Sequence, residues 1–259
     1  MHLFAITLCA RVCFSEPPSK KSRTEDESSS SISDDSGDSF ATREFVNSAD
    51  LASIKARLDA YDVMRETVIK TSRDVQKLSK QAIFSLHGGK TADAQSKLAK
   101  ASEIAREVLP LILEQPSLRS GSYSNSLEEW AEGQLLFHWM DDKTVPGRAA
   151  LGEHVGQELT SGEYVGALSD LTGETGRMAV VYAAKRQINE VREILHANSI
   201  VVMGLESIES NKFGQKYKAA MNNMEKIELL LYELCMIEKG GRILPKEIFN
   251  ADDKKYNNN

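Results

Sequence analysis

The chain has 259 residues, 41% hydrophobic and 7% aromatic, with a formal net charge of -6. That length supports one substantial core or at most two domains, and the negative charge excludes a protein that coats nucleic acid by bulk attraction, leaving room only for a local basic surface. Three cysteines, Cys9, Cys13 and Cys235, with no accompanying Cys/His cluster, exclude a disulfide framework or a zinc ligand set and point to a reducing compartment.

Residues 1–14 (M-H-L-F-A-I-T-L-C-A-R-V-C-F) are apolar but lack a basic leading region and are interrupted by Arg11, so a secretory signal is not expected, and a misassigned start is at least as good a reading of the segment. No run is long enough to span a bilayer as a helix, and no membrane partner is expected. Residues 17–40 are rich in serine and acid and nearly devoid of apolar side chains, which cannot offset the entropy of ordering. Residues 1–46 are therefore expected to be a disordered tail, 47–249 an all-α domain, and 250–259 a polar tail. Lys20, Lys21 and Arg23 form a short basic run of a kind that also arises by chance.

Only six prolines occur, and none falls between Pro18 and Pro110 or between Pro146 and Pro245, which leaves room for long helices. The first is predicted over 48–87, capped by Asn47, Ser48 or Asp50 and stopped by Gly88-Gly89. Its apolar positions Leu51, Ile54, Leu58, Tyr61, Met64, Val68, Val75, Leu78, Ala82 and Leu86 recur every three or four residues along a rod of roughly 60 Å. Opposite them, Lys70, Arg73, Lys77 and Lys80 make a basic stripe that fits a phosphate backbone or, as the blander reading, an ordinary solvated face. A second helix is predicted over 92–113, disturbed by Pro110 and ended by Pro116, then an exposed loop over 117–125 and a third helix over 126–142. After Pro146-Gly147 come a short helix over 148–159, the segment 164–182, two helices over 187–196 and 200–208, and a last long one over 213–239. Leu229, Leu230 and Tyr232 widen the apolar surface of that last helix beyond one stripe, the pattern of a helix covered on two sides, as in an oligomer.

Two segments carry carboxylates in apolar company. Residues 164–182 (Y-V-G-A-L-S-D-L-T-G-E-T-G-R-M-A-V-V-Y) have only Asp170, Glu174 and Arg177 as charges, and spacings of four and three put these on one helix face. Residues 127–140 (L-E-E-W-A-E-G-Q-L-L-F-H-W-M) carry Glu129 and Glu132 three apart. Pairs with the same spacing elsewhere, Glu190/Glu193, Glu206/Glu209 and Glu225/Glu228, sit in mixed, solvated surroundings; the apolar context is what makes the first two pairs costly to leave unpartnered. They read either as a divalent-metal site or as a structural ion-pair set involving Arg177. Hard oxygen donors without His or Cys favour magnesium or manganese over zinc, and metal-assisted phosphodiester hydrolysis is the chemistry such a site performs. A di-iron site would need Glu-x-x-His on two helices, which is absent, and His138 reads as a satisfied core histidine. Gly166, Gly173 and Gly176 read as positions of close helix or ligand approach.

The run D-L-T-G-E (Asp170 to Glu174), with Tyr164 and Gly166 before it and Arg177 after it, resembles the corresponding helix of the translin-associated factor X branch of the translin family. E-W-A-E (Glu129 to Glu132), followed by Phe137-His138-Trp139, is similar to that branch's E-Y-V-E helix, and K-T-S-R-D-V-Q-K-L-S-K-Q-A-I-F-S-L-H (Lys70 to His87) to its first helix. Leu244-Pro245-Lys246 resembles the I-P-K that follows its last helix. The resemblance covers roughly residues 61–249. It implies an all-α translin-type bundle of six to seven long antiparallel helices, assembled with a translin-like subunit into a hollow hetero-octamer; archaeal relatives that self-assemble make a homo-oligomer the alternative. It further implies a magnesium-dependent endoribonuclease, in cytoplasm and nucleus, that binds single-stranded RNA or DNA and cuts single-stranded RNA or the passenger strand of silencing duplexes. By position, Glu132 and Glu174 would be direct metal ligands, with Glu129 and Asp170 positioning or activating water. Two other readings compete. Glu128-Glu129-Trp130-Ala131-Glu132 is the first half of an all-α nucleoside triphosphate pyrophosphohydrolase motif whose second half is missing, and a non-catalytic RNA-binding scaffold needs none of the carboxylates.

Overall fold

In a computed structural model the described residues are 46–208 and 213–240. The expected tails and the Leu244-Pro245-Lys246 match lie outside them, except that the disordered reading extended to residue 46. The described residues from Ala49 onward belong to one unit.

Among the described residues seven α-helices run in order: α1 (Ser48–His87), α2 (Thr91–Glu114), α3 (Ser122–Asp142), α4 (Arg148–Val155), α5 (Ser161–Ala184), α6 (Ile188–Glu206) and α7 (Gly214–Glu238). No strand occurs among the described residues, and none of their helices is long and apolar enough to cross a membrane. The all-α expectation holds, with three differences in detail. The expected loop over 117–125 is instead a 3-10 turn, Pro116–Arg119, followed by the start of α3. Tyr123 explains the earlier start: it is fully buried, and its hydroxyl donates to the Ala105 carbonyl at 3.0 Å, tying the first turn of α3 to α2. The two helices expected over 187–208 are one, because Asn198 is buried and hydrogen-bonded into α5. The inward stripe of α1 begins later than its periodicity implies: Leu51, Ile54 and Leu58 are exposed, and Tyr61 and Met64 are the first to pack on the core.

Helix α5 is central, packing on α3, α6 and α7, while α2 packs on α3 and α4. Its start is fixed by a capping box: Thr160 Oγ1 accepts from the Glu163 N–H at 3.2 Å, and the Glu163 carboxylate accepts from the Thr160 N–H at 2.8 Å. Glu163 is almost wholly buried, yet it also receives the Arg119 guanidinium and the Ser124 hydroxyl. Burial alone would raise its pKa; these donors outweigh burial and hold it below the ordinary carboxylate range. Farther along, Thr172 and Thr175 bind Asn198 of α6, and Asn223 of α7 donates to Thr172 Oγ1 at 3.0 Å. Buried threonines thus set the depth at which α6 and α7 meet α5.

Candidate metal and phosphate site

The four carboxylates singled out in the sequence line one cavity of about 540 Å³. Glu129 and Glu132 reach it from α3, Asp170 and Glu174 from α5. Lys80, Phe84 and His87 of α1, Arg177 of α5 and Asn223 of α7 complete much of its wall. Trp130, Ala131, Leu135 and Leu136, all buried, hold α3 against the core so that the two glutamates one turn apart face the cavity together. The comparison pairs behave differently: Glu193, Glu206, Glu225 and Glu228 are exposed and Glu190 is half-buried, while Glu209 lies outside the described residues.

Each carboxylate but one has a cationic or histidine partner. Glu174 Oε2 lies 2.6 Å from His87 Nε2, and its Oε1 lies 3.0 Å from Arg177. Glu129 is 3.6 Å from Lys80. Asp170 accepts from Lys216 Nζ at 3.0 and 3.2 Å, and the same ammonium donates to Glu128 Oε1 at 2.6 Å. Glu132 has no ion pair or side-chain hydrogen bond among the described residues. Burial pushes its pKa up to about 8, and the charges of Glu129, Asp170 and Glu174 push the same way. Glu129 is also raised, by burial first, against the counter-pull of Lys80. Lys216 moves the other way from what burial would do to it, because its hydrogen bonds to Glu128 and Asp170 raise its pKa overall.

Lys216, Glu128 and His87 were not among the residues picked from the sequence as a site. For Lys216 no local signal existed; it stands 46 residues from Asp170 and reaches it only because Ser169 Oγ anchors the Lys216 carbonyl at 2.8 Å. A signal for Glu128 was present at Gly166: a Cβ there would lie 2.3 Å from the Glu128 carboxyl carbon, so the missing side chain is what lets Glu128 lie against α5 and hold Lys216. His138, read as a core histidine, is half-buried, edge-on to Phe137, and lines a different cavity. Of the basic stripe, Lys70, Arg73, Lys77 and Lys80 are all exposed on α1, and Lys80 alone enters the acidic cavity.

A divalent cation fits the donor set by chemistry and charge: four carboxylates of hard oxygen, one of them buried and uncompensated, meet in one open cavity. Among the described residues no three Asp, Glu, His or Cys groups stand ready-made around a common point, so binding would draw carboxylates inward from their present partners.

An all-helical bundle with a carboxylate-lined cavity between its central helices is the class these observations define. The match to the Translin family covers residues 63–236, and the chain belongs to that family. It is 24% identical over 204 residues to the Translin-associated protein X homolog of Schizosaccharomyces pombe, spanning 72% of this chain and 87% of that protein. The fold is shared with the crystal structure of apo-NeC3PO (TM-score 0.64, 18% identity, 71% of this chain and 96% of that one). It is shared equally with AfC3PO in its duplex RNA complex (TM-score 0.63, 18% identity, 72% and 97%).

Proposed function

We propose that this chain is a magnesium-dependent endoribonuclease subunit that hydrolyses phosphodiesters in single-stranded RNA, or in the passenger strand of silencing duplexes, within a translin-type assembly of the cytoplasm and nucleus. The observation that carries the reading is the convergence of Glu129, Glu132, Asp170 and Glu174 on one cavity, where burial and crowding make Glu132 hold its proton up to about pH 8. The relative named Translin-associated protein X and the fold neighbour bound to duplex RNA support it. Magnesium, or manganese in its place, would be held by Glu132 and Glu174 with Glu129 and Asp170 beside them. Bound there, it supplies Lewis-acid stabilisation of phosphoryl charge and acidifies water. His87 orients Glu174, and Lys216, anchored by Glu128, orients Asp170 toward an attacking water. Arg177, Lys80 and Asn223 supply donors at the cavity wall for the phosphate oxygens. Water gives up a proton to the Asp170 carboxylate as it adds to phosphorus, the bond to the leaving ribose oxygen breaks, and that oxygen takes up a proton from solvent.

A second reading, a non-catalytic RNA-binding scaffold, is favoured by one specific observation: Glu129, Asp170 and Glu174 are already paired with Lys80, Lys216, His87 and Arg177. Cleavage of labelled single-stranded RNA by the purified chain separates the two. It is measured alone and with a translin-like subunit, in magnesium or EDTA, with deoxynucleoside triphosphates as control substrate. Magnesium-dependent cutting that Asp170→Ala abolishes without changing assembly is expected. RNA retention with no cutting in any combination, or cutting unaltered in Asp170→Ala, overturns the assignment.

A further inference from the structure

Beside the acidic cavity lies a second one of about 540 Å³, lined by Lys80, Gln81, Phe84, Ser85, Gly88, Lys90, Asp93 and Lys97. The two cavities share Lys80 and Phe84, so these side chains form the lip between them. The charge changes sign across that lip: four carboxylates lie on one side, and three lysines against one aspartate on the other. Asp93 does not cancel the basic side. Lys97 is held by Asp93 and by the Ser85 hydroxyl at 2.9 Å, which fixes one ammonium in the cavity wall; Lys80, on the lip, also stands 3.6 Å from Glu129, and Lys90 is left in excess. Phe84 is 81% exposed, the most exposed large apolar side chain among the described residues. Arg73, Lys77, Lys80 and Phe84 follow one another at spacings of four, three and four, so the cationic stripe of α1 runs directly up to that ring.

A ring in solvent beside ammonium groups is the combination that holds single-stranded nucleic acid: a base stacks on the aromatic face and its phosphate meets the cations. We infer that the Phe84 lip and the Lys80/Lys90/Lys97 cavity form a nucleotide subsite that seats a base and phosphate of single-stranded RNA next to the acidic cavity. This rests on the RNA-cleaving reading for its purpose but is tested on binding alone. Two requirements are met at once. The scissile phosphate stays among the carboxylates, where a cation is needed, and the adjoining phosphate sits among lysines, where none is. Phe84, outside the core, can be changed at small cost to folding.

The test is fluorescence anisotropy on the full chain in EDTA, so that no strand is cut, comparing a uridine dodecamer with a sugar-phosphate strand of the same length that lacks bases. Phe84→Ala is expected to weaken uridine binding about tenfold, the size of one base stack, and to leave the abasic strand unaffected, with Phe84→Trp restoring affinity. Lys90→Glu is expected to weaken both strands and to flatten the salt dependence of binding. Equal loss of both strands in Phe84→Ala, no loss of either, or a change in the mass of the assembly instead, overturns the subsite. Because no step depends on hydrolysis, loss of the nuclease reading leaves this result standing, and loss of the subsite leaves the carboxylates untouched.

Discussion

Glu132→Gln replaces the cavity's unpartnered carboxyl with a group that does not titrate while keeping the side chain's shape. Burial, together with the charges of Glu129, Asp170 and Glu174, raises the Glu132 pKa from an ordinary 4.5 to about 8. A carboxyl that binds its proton more tightly folded than unfolded contributes fully to stability below about pH 4.5, and that contribution is lost as pH rises toward 8. At pH 7 and without metal the accumulated loss covers about 2.5 pH units at roughly 1.4 kcal/mol each, on the order of 3 kcal/mol. Urea unfolding of both proteins in EDTA between pH 4.5 and 8.5 measures it, at one protein concentration because assembly would couple stability to concentration. The glutamine variant should gain on the parent steadily across that range, and magnesium at pH 7 should narrow the gap by stabilising the parent more. Stability curves that run parallel from pH 4.5 to 8.5 would refute the reasoning, since Glu132 would then bind its proton no more tightly folded than unfolded.

Arg119→Ala strips the main partner from buried Glu163 at the head of α5. A loss of about 3–5 kcal/mol at neutral pH is expected by urea unfolding. In the parent, the contribution of Glu163 is present above the ordinary carboxylate range and lost as pH falls through its lowered pKa, so the two proteins should converge in acid; a constant gap would show that the guanidinium acts by packing. Gly152→Ala brings a Cβ to 2.7 Å from the Gln157 carbonyl oxygen and 2.8 Å from the Glu158 Cα, both backbone, and should cost about 1–3 kcal/mol. Gly147→Ala, where a Cβ meets nothing within 4 Å, is the comparison, and equal melting temperatures for the two would remove the steric argument.

Helices α1, α2, α5 and α7 were legible within a few residues because each combines an apolar period with a stop: Gly88-Gly89 for α1, Pro116 for α2. The acidic motifs were legible because carboxylates in apolar company are costly, a local property. What stayed hidden depended on distant chain. Tyr123 looks like a loop residue until the Ala105 carbonyl is beside it, and Asn198 like a break between helices until Thr172 and Thr175 receive it. The exposed stretch of α1 from Leu51 to Leu58 was misread for the converse reason: periodicity marks a face able to pack without showing that anything packs there.

The same distinction separates the acids of the cavity from their counter-charges. Acids arrive as pairs on α3 and α5, whereas the counter-charges apart from Arg177 come from α1 and α7, 46 residues or more away for Lys216. That division bears on how a metal would sit under the proposed function. A divalent ion would meet Glu132, the carboxylate without a partner, and Glu174, while Lys216 keeps its hold on Asp170. Lys216 is itself held in place by its shorter bond, 2.6 Å to Glu128, and Gly166 is what admits Glu128 to that position. The Lys216 pair is then part of how Asp170 would be aimed at water, which is why ion pairing in the cavity is weak evidence against a catalytic role.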